Sequence, residues 1–303
     1  MSSTPAASTG LTKTELLGIL LSAVGYLAFS LNDAFAKWLL QDYGVGQLLV
    51  IRSIAALLFM SPLIYRRGIK RTLIVENPKL NALRVFCCTM EVLLFYVAVL
   101  FLTLAKTLTF YMAAPIFAAL LSIAAGHRLS MMQWAIIIIG FIGVVIALEP
   151  GGGVFDPACL IALAGSFMLA AMLHITHHLK HVPDLSLIFW QNVGALVMAS
   201  FIAPIGWGSV DTVSFMQIAL LGIIAMCAHM MLNRSVKLAQ PHIVAPIQYT
   251  LILYAILFGY LFFNDVPTKS TLVGAALILG ASAMLPWAKK AAPKPAVSPQ
   301  PAE

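Results

Sequence analysis

Residues 16–37 read LLGILLSAVGYLAFSLNDAFAK. No charged side chain appears before Asp33, and the run matches the roughly 20 residues that a helix needs to cross a hydrocarbon core. The polar leader before it, Met1 to Thr14, carries a single lysine, and no small-residue cleavage site closes the run, so it reads as a retained span and not as a signal peptide. Similar runs recur as far as Trp287 without a polar interval long enough to fold alone. Of 303 residues, 61% are apolar and 10% charged, with a mean hydropathy of +0.96. Soluble domains carry about 25% charged residues, so a single water-soluble core is excluded, as is one anchor with a globular head. Barrel strands would alternate over about ten residues, which these runs do not. The expected fold is an all-α polytopic membrane protein.

Apolar runs between polar punctuation predict ten transmembrane helices, near 16–37, 47–65, 82–102, 107–125, 132–148, 157–177, 187–206, 214–232, 242–263 and 270–287. With the N-terminus in the cytoplasm, 14 of the 18 basic residues fall on the cytoplasmic side. They are Lys13, Arg66, Arg67, Lys70, Arg71, Lys79, Arg84, Arg128, Lys180, Arg234, Lys237, Lys289, Lys290 and Lys294. The outer loops keep Lys37, Lys106 and Lys269, and Arg52 lies inside the second span. This bias predicts both termini in the cytoplasm, and it makes the net charge of +7 a topology signal with no nucleic-acid partner implied. Cys87, Cys88, Cys159 and Cys227 all fall within predicted spans, which implies neither a disulfide framework nor a metal site. The Pro- and Ala-rich tail after Lys290 is expected to be disordered.

Ten spans divide into two sets of five, and an odd number per set turns the second upside down relative to the first, a transporter signature. The predicted organisation is a cytoplasmic leader (1–15), a first five-helix repeat (16–148), a linker (149–156), a second five-helix repeat (157–287) and a cytoplasmic tail (288–303). Gly126-His127-Arg128-Leu129 precedes the fifth span as Asn264-Asp265-Val266-Pro267 precedes the tenth, 138 residues later. Small residues at four-residue spacing follow in each, Gly143 with Ala147 and Ala276 with Gly280, and predict close helix packing.

Several stretches, taken in order, resemble one known family. They are Asn32-Asp33-Ala34-Phe35-Ala36-Lys37 closing the first span, Arg52 in the second, and Leu104-Ala105 followed by Ala114-Pro115 through the fourth. Gly140-Phe141-Ile142-Gly143 with Glu149-Pro150-Gly151, then Phe263-Asn264-Asp265-Val266-Pro267 leading to Gly274-Ala275-Ala276, continue the pattern. Together they resemble the ten-span drug/metabolite transporter (DMT) superfamily built from two EamA domains. The departure is His127, where many relatives carry glutamate, so no role of that acid carries over to the first repeat. The resemblance implies a ten-helix bundle that moves small organic solutes by alternating access, usually in a bacterial cytoplasmic membrane. Its members export amino acids or drugs, or take up nucleoside- or vitamin-like metabolites.

Ionisable groups inside spans are costly and mark functional sites by default. Asp33 lies in the outer third of the first span, Arg52 at similar depth in the second, and Glu91 near the middle of the third. Asp33 has a packing role open to it, as an ion pair with Arg52 or with Lys37 one turn on, and Arg52 can be its structural partner as readily as a substrate ligand. Glu91 differs, because Arg84 is about two turns away, roughly 10 Å along the helix. A carboxylate there must be protonated, solvated by a central cavity or paired with a cation from elsewhere. Tyr111 in the fourth span, Trp190 and Gln191 in the seventh, and Tyr249 with Tyr254 in the ninth lie at suitable depth to box a flat or cationic solute. An interfacial or lipid-facing place is the alternative for each aromatic. Pro115 and Pro246 interrupt corresponding spans of the two halves and are candidate hinges beside a central binding site.

His174, His177, His178 and His181 are spaced to share a helical face, a metal-ligand arrangement. A di-iron oxidase would need further clustered histidines, and His127, His229 and His242 stand on separate elements. A solvated, weakly basic helix end is the reading adopted, with no metal and no cofactor expected. Gly151-Gly152-Gly153 lacks the lysine of a phosphate loop, so any coupling is to a gradient or to exchange. The expected function is secondary transport of a small polar organic metabolite, with Glu91 binding a proton or a cationic group and Asp33 and Arg52 lining or gating the outer half. The rivals from other classes are an intramembrane metalloenzyme built on the four histidines and a non-transporting sensor or scaffold.

Overall fold

The computed structural model describes residues 13–124, 130–148, 157–179, 181–238 and 245–290, and among them no strand occurs. The helices are α1 (Lys13–Leu39), α2 (Val45–Arg67), α3 (Ile69–Leu73), α4 (Pro78–Phe101), α5 (Leu104–Tyr111), α6 (Ala114–Ala124), α7 (Met131–Leu148) and α8 (Pro157–His178). After them come α9 (Asp184–Ile202), α10 (Thr212–Leu238), a 3-10 segment (Ala245–Tyr249), α11 (Thr250–Phe263) and α12 (Lys269–Lys290). Seven helical stretches are long and apolar enough to cross a membrane: α1, α2, α4, the α5–α6 stretch, α8, α9 and α10. Met131–Ala147, Ile247–Phe263 and Lys269–Ala281 are shorter apolar helices. Leu58, Phe101 and Leu253 are among the large apolar side chains left on the outer faces, as contact with lipid requires. The chain is an integral membrane protein. The motif at 126–129, the stretch 149–153, Lys180, His242 and the tail after Lys290 lie outside the described residues.

Lipid gives helices no apolar reason to associate, so close backbone approach and interhelical hydrogen bonds hold the bundle. A Cβ on Gly222 of α10 would overlap the Arg52 carbonyl of α2, and one on Gly46 would overlap the backbone at Ala203. Asn32 Nδ2 donates to the Leu221 carbonyl at 2.8 Å, and Ser235 Oγ donates to the Gly18 carbonyl at 2.7 Å, tying α1 to α10 at two depths. Further packed pairs are α4 with α8 and α9, α2 with α9 and α10, α6 with α8, α1 and α5 with α11, and α7 with α12.

The α7–α12 seam corrects one expectation. Gly143 and Ala147 do face the last helix, but they meet Gly274, Leu277 and Ile278. Ala276 and Gly280 are exposed, and a Cβ on Gly280 would touch nothing. Gly274, Ile278 and Ala281 recur every three to four residues on the buried face, and Ala276 and Gly280 stand on the opposite one.

Proline breaks the α5–α6 stretch as expected, and the structure shows how the break is tolerated. Pro115 has no N–H for the Tyr111 carbonyl four residues back, and Ser166 Oγ donates to that oxygen at 3.4 Å. Pro62 within α2 likewise orphans the Leu58 carbonyl, which accepts from Ser61 Oγ at 2.7 Å. The counterpart break before α11 takes the form of the 3-10 segment that contains Pro246.

At one end of the bundle, Gln47 Nε2 donates to the Gly208 carbonyl at 2.8 Å and Gly208 N donates to Gln47 Oε1 at 3.1 Å, joining the start of α2 to the α9–α10 loop. Asp211 caps α10 by accepting from Val213 N at 3.1 Å and Ser214 N at 3.3 Å. The side-chain and backbone hydrogen bonds of Ser214 hold its carboxyl below the usual carboxylate range. Lys37 ends α1 at the same end, and it pairs with Asp265 and not with Asp33. At the opposite end Arg84 is not a loop cation. It is buried within α4, donating from Nε to Thr176 Oγ1 at 2.8 Å and from Nη1 to the Leu187 carbonyl at 3.3 Å.

Candidate functional site

Asp33, Arg52 and Glu91 arrive from α1, α2 and α4 and lie within electrostatic reach of one another. All three are half-buried and not sealed, although they stand deep in long apolar helices. Arg52 is set by two contacts: its Nη1 donates to the hydroxyl of Tyr96, and its guanidinium carbon stands 5.5 Å from the centre of that ring. Gly222 packing on the Arg52 carbonyl fixes the backbone beneath it. The side-chain carboxyl of neither Asp33 nor Glu91 has a hydrogen-bond or ion-pair partner among the described residues. The group therefore holds one cation whose guanidinium is partly engaged and two carboxylates without a protein partner among the described residues.

Aromatic and amide groups surround these charges. Tyr111, at the broken end of α5, donates its hydroxyl to the Glu91 carbonyl at 3.0 Å and meets Phe95 edge-on at 5.2 Å between ring centres. Gly165 of α8 leaves room for that hydroxyl, since a Cβ there would overlap it. From the second half of the chain, His229 on α10 meets Phe29 of α1 edge-on at 4.6 Å. Its Nε2 is 3.4 Å from Gln191 Nε2 of α9, and the imidazole lies within electrostatic reach of Arg52.

The structure thus brings together Asp33, Arg52, Glu91, Tyr111 and Gln191 of the candidates, and adds Tyr96, His229 and Phe29. His229 is an ionisable side chain in an apolar span and carries the same signal as Glu91, although it stands apart from the other histidines in sequence. Tyr96 lies in the run Leu93-Leu94-Phe95-Tyr96 and shows no signal in sequence. Trp190 goes elsewhere. Its Nε1 donates to the Leu73 carbonyl at 3.2 Å, and its ring lines a lateral apolar groove of about 520 Å³ between α4 and α9, with Phe86, Val197 and Phe201. Tyr249 and Tyr254 pack against the large core that also holds Phe95, Tyr96 and Tyr111, and Tyr254 stacks on Phe258 at 6.2 Å.

The four histidines do not share one helical face, because α8 ends at His178 and His181 follows in a turn. His178 Nδ1 is engaged at 3.0 Å by the His174 carbonyl, with the two rings 5.1 Å apart. The side chain of His177 is outside the described residues. Among the described residues, no three His, Cys, Asp or Glu side chains gather as metal ligands would.

Comparison with known proteins adds independent findings. The model of the EamA-like transporter family matches twice, over residues 16–148 and 156–286. The S-adenosylmethionine uptake transporter of Rickettsia bellii (strain RML369-C) is 25% identical over 292 residues, covering 92% of this chain and 97% of that protein. The riboflavin transporter of Vibrio cholerae serotype O1 is 23% identical over 271 residues, covering 87% and 91%. A solved structure described as "Crystal structure of protein" superposes with a TM-score of 0.60 over 93% of this chain and 99% of that one. Its sequence is 14% identical, so the likeness is of fold alone.

Proposed function

The chain belongs to the EamA-like transporter family, and from that premise we propose that it carries a small polar organic metabolite across a bacterial cytoplasmic membrane by alternating access. The solute binds among Asp33, Arg52 and Glu91. The observation that carries this reading is the placement, within long apolar helices, of a guanidinium and two carboxylates that have no partner among the described residues, with His229 and Gln191 of the second half beside them. Such groups are costly within a bilayer unless a solute or ion uses them. Amino-acid-like, nucleoside-like and vitamin-like solutes are the class, and the names of the relatives, S-adenosylmethionine and riboflavin, fall within it. No catalytic role and no cofactor are proposed.

The architecture proposed is ten spans in two inverted five-helix repeats, with both termini cytoplasmic. Its support is the pairing of helices. Let α1, α2, α4, α5–α6 and α7 exchange in order with α8, α9, α10, the 3-10 segment with α11, and α12. The pair α1–α10 then becomes α8–α4, α2–α10 becomes α9–α4, and α1–α11 becomes α8–α6, all of which are packed pairs. The pairs α2–α9, α5–α11 and α7–α12 map onto themselves. A two-fold axis in the membrane plane, passing between the repeats, accounts for that pattern.

The test is flux into sealed proteoliposomes across a panel of amino acids, nucleosides, polyamines and vitamins, with protein-free vesicles as reference. Saturable uptake of one solute class is expected, and no protein-dependent flux of any solute overturns the reading. Reporter fusions at Lys290 and within residues 149–156 are expected on opposite sides of the membrane; the same side for both overturns the five-plus-five division.

A further inference from the structure

We propose that the solute is a zwitterion bearing one additional positive centre, its carboxylate held by Arg52 and its two positive centres by Asp33 and Glu91. The inference rests on the transport reading and specifies its substrate class. Formally the group holds one positive and two negative charges, and neither carboxylate has a protein partner among the described residues. A solute of net charge +1 with three charged centres closes that balance, leaving no charge alone in low-dielectric surroundings. A neutral amino acid leaves one carboxylate unanswered. A neutral flat solute of the flavin type leaves the whole set unanswered, and an anion adds to the surplus.

Geometry agrees with the charges. Arg52 commits one donor to the Tyr96 hydroxyl, and the guanidinium fork has others for a carboxylate. Asp33 and Glu91 come from different helices, α1 and α4, so they can meet two centres on separate parts of one solute. Tyr96 and Tyr111 are within electrostatic reach of both carboxylates, but both rings are buried, so the positive centres are left to the carboxylates themselves. Sulfonium amino acids with a flat ring and basic amino acids both satisfy this description.

Two solute pairs isolate the extra charge. S-adenosylmethionine and S-adenosylhomocysteine share ring and amino-acid end and differ at the sulfonium centre; lysine and norleucine differ at the terminal ammonium. Uptake of each labelled solute is measured in the proteoliposomes. The expected result is that the cationic member of at least one pair is taken up with at least about tenfold higher kcat/KM, the margin that a lost charge partner sets. The pair that discriminates tells a sulfonium from an ammonium substrate. Glu91→Gln and Asp33→Asn, made separately, each reduce the preference toward unity, and either folded variant suffices. Equal uptake within both pairs, or competition won by riboflavin, overturns the charge assignment while leaving transport intact. If these four solutes fail but others in the wider panel move, the substrate class is wrong. If none of the panel moves, the transport reading falls with it.

Discussion

Lys37 Nζ stands 2.9 Å from Asp265 Oδ2 and 3.2 Å from the Leu102 carbonyl oxygen, with the ring of Phe263 4.8 Å below it. One ammonium thus joins the end of α1 to the α4–α5 connection and to the α11–α12 loop. The loop is shaped to meet it: Asn264 ends α11 with φ of 55°, and Asp265 N donates back to the Gly259 carbonyl at 3.0 Å.

Breaking that junction with Lys37→Met or Asp265→Asn is expected to cost about 1 kcal/mol, the upper range for a partly exposed pair, and to lower the melting temperature by a few degrees. The charge swap Lys37→Asp with Asp265→Lys should recover part of the loss. Equal melting temperatures for wild type and both single variants would show that the contact is incidental.

Two glycines on long helices offer a paired test. Gly222→Ala drives a methyl group into the Arg52 carbonyl and is expected to destabilise by about 1–3 kcal/mol while also weakening solute binding, since Arg52 moves with its backbone. Gly280→Ala meets open space and is expected to be neutral, or stabilising by up to about 1 kcal/mol. Thermal unfolding of the two proteins in the same detergent settles the contrast; equal effects would contradict the packing described.

Glu91→Gln keeps volume and hydrogen-bonding capacity while removing the charge. The groups facing it are Asp33, Arg52, Cys88, Tyr96 and Tyr111. On the reading that Glu91 carries a coupling proton, the variant is expected to insert and fold normally and to lose concentrative, pH-gradient-driven uptake, retaining at most passive exchange. A wild-type rate with a wild-type pH profile in proteoliposomes would make Glu91 a packing residue and move coupling to Asp33.

Replacing His174, His177, His178 and His181 together by Gln is expected to leave flux within a few-fold. Loss of flux, accompanied by a stoichiometric metal in the wild-type protein, would restore the metal reading.

Much of this was legible in the sequence because a bilayer permits few solutions. Helical spans follow from apolar length, and the break at Pro115 follows from a missing N–H. The meeting of Asp33, Arg52 and Glu91 agrees with the cost of leaving a charge in lipid. Partners across the bundle were not legible. Lys37 has Asp33 one turn away in sequence, yet pairs with an aspartate 228 residues on, and no periodicity encodes that. The α7–α12 seam went wrong by helix phase, since several small residues on one helix offer alternative faces. The histidine spacing was read as helical through His181, three residues beyond the helix end.

The glycines at 46 and 222 have a mechanical consequence. Where backbone rests on backbone there is no layer of side chains to change rotamer, so α2 cannot slide or roll freely against α10, which it meets at Gly222, or against the end of α9, which it meets at Gly46. They behave as a single lever. On the transport reading, motion that opens the solute site first to one face of the membrane and then to the other is expected where side chains interdigitate or hydrogen bonds are improvised, beside the interrupted stretches at 111–114 and 245–249. Stiffness on this reading follows the glycines, and compliance follows the prolines.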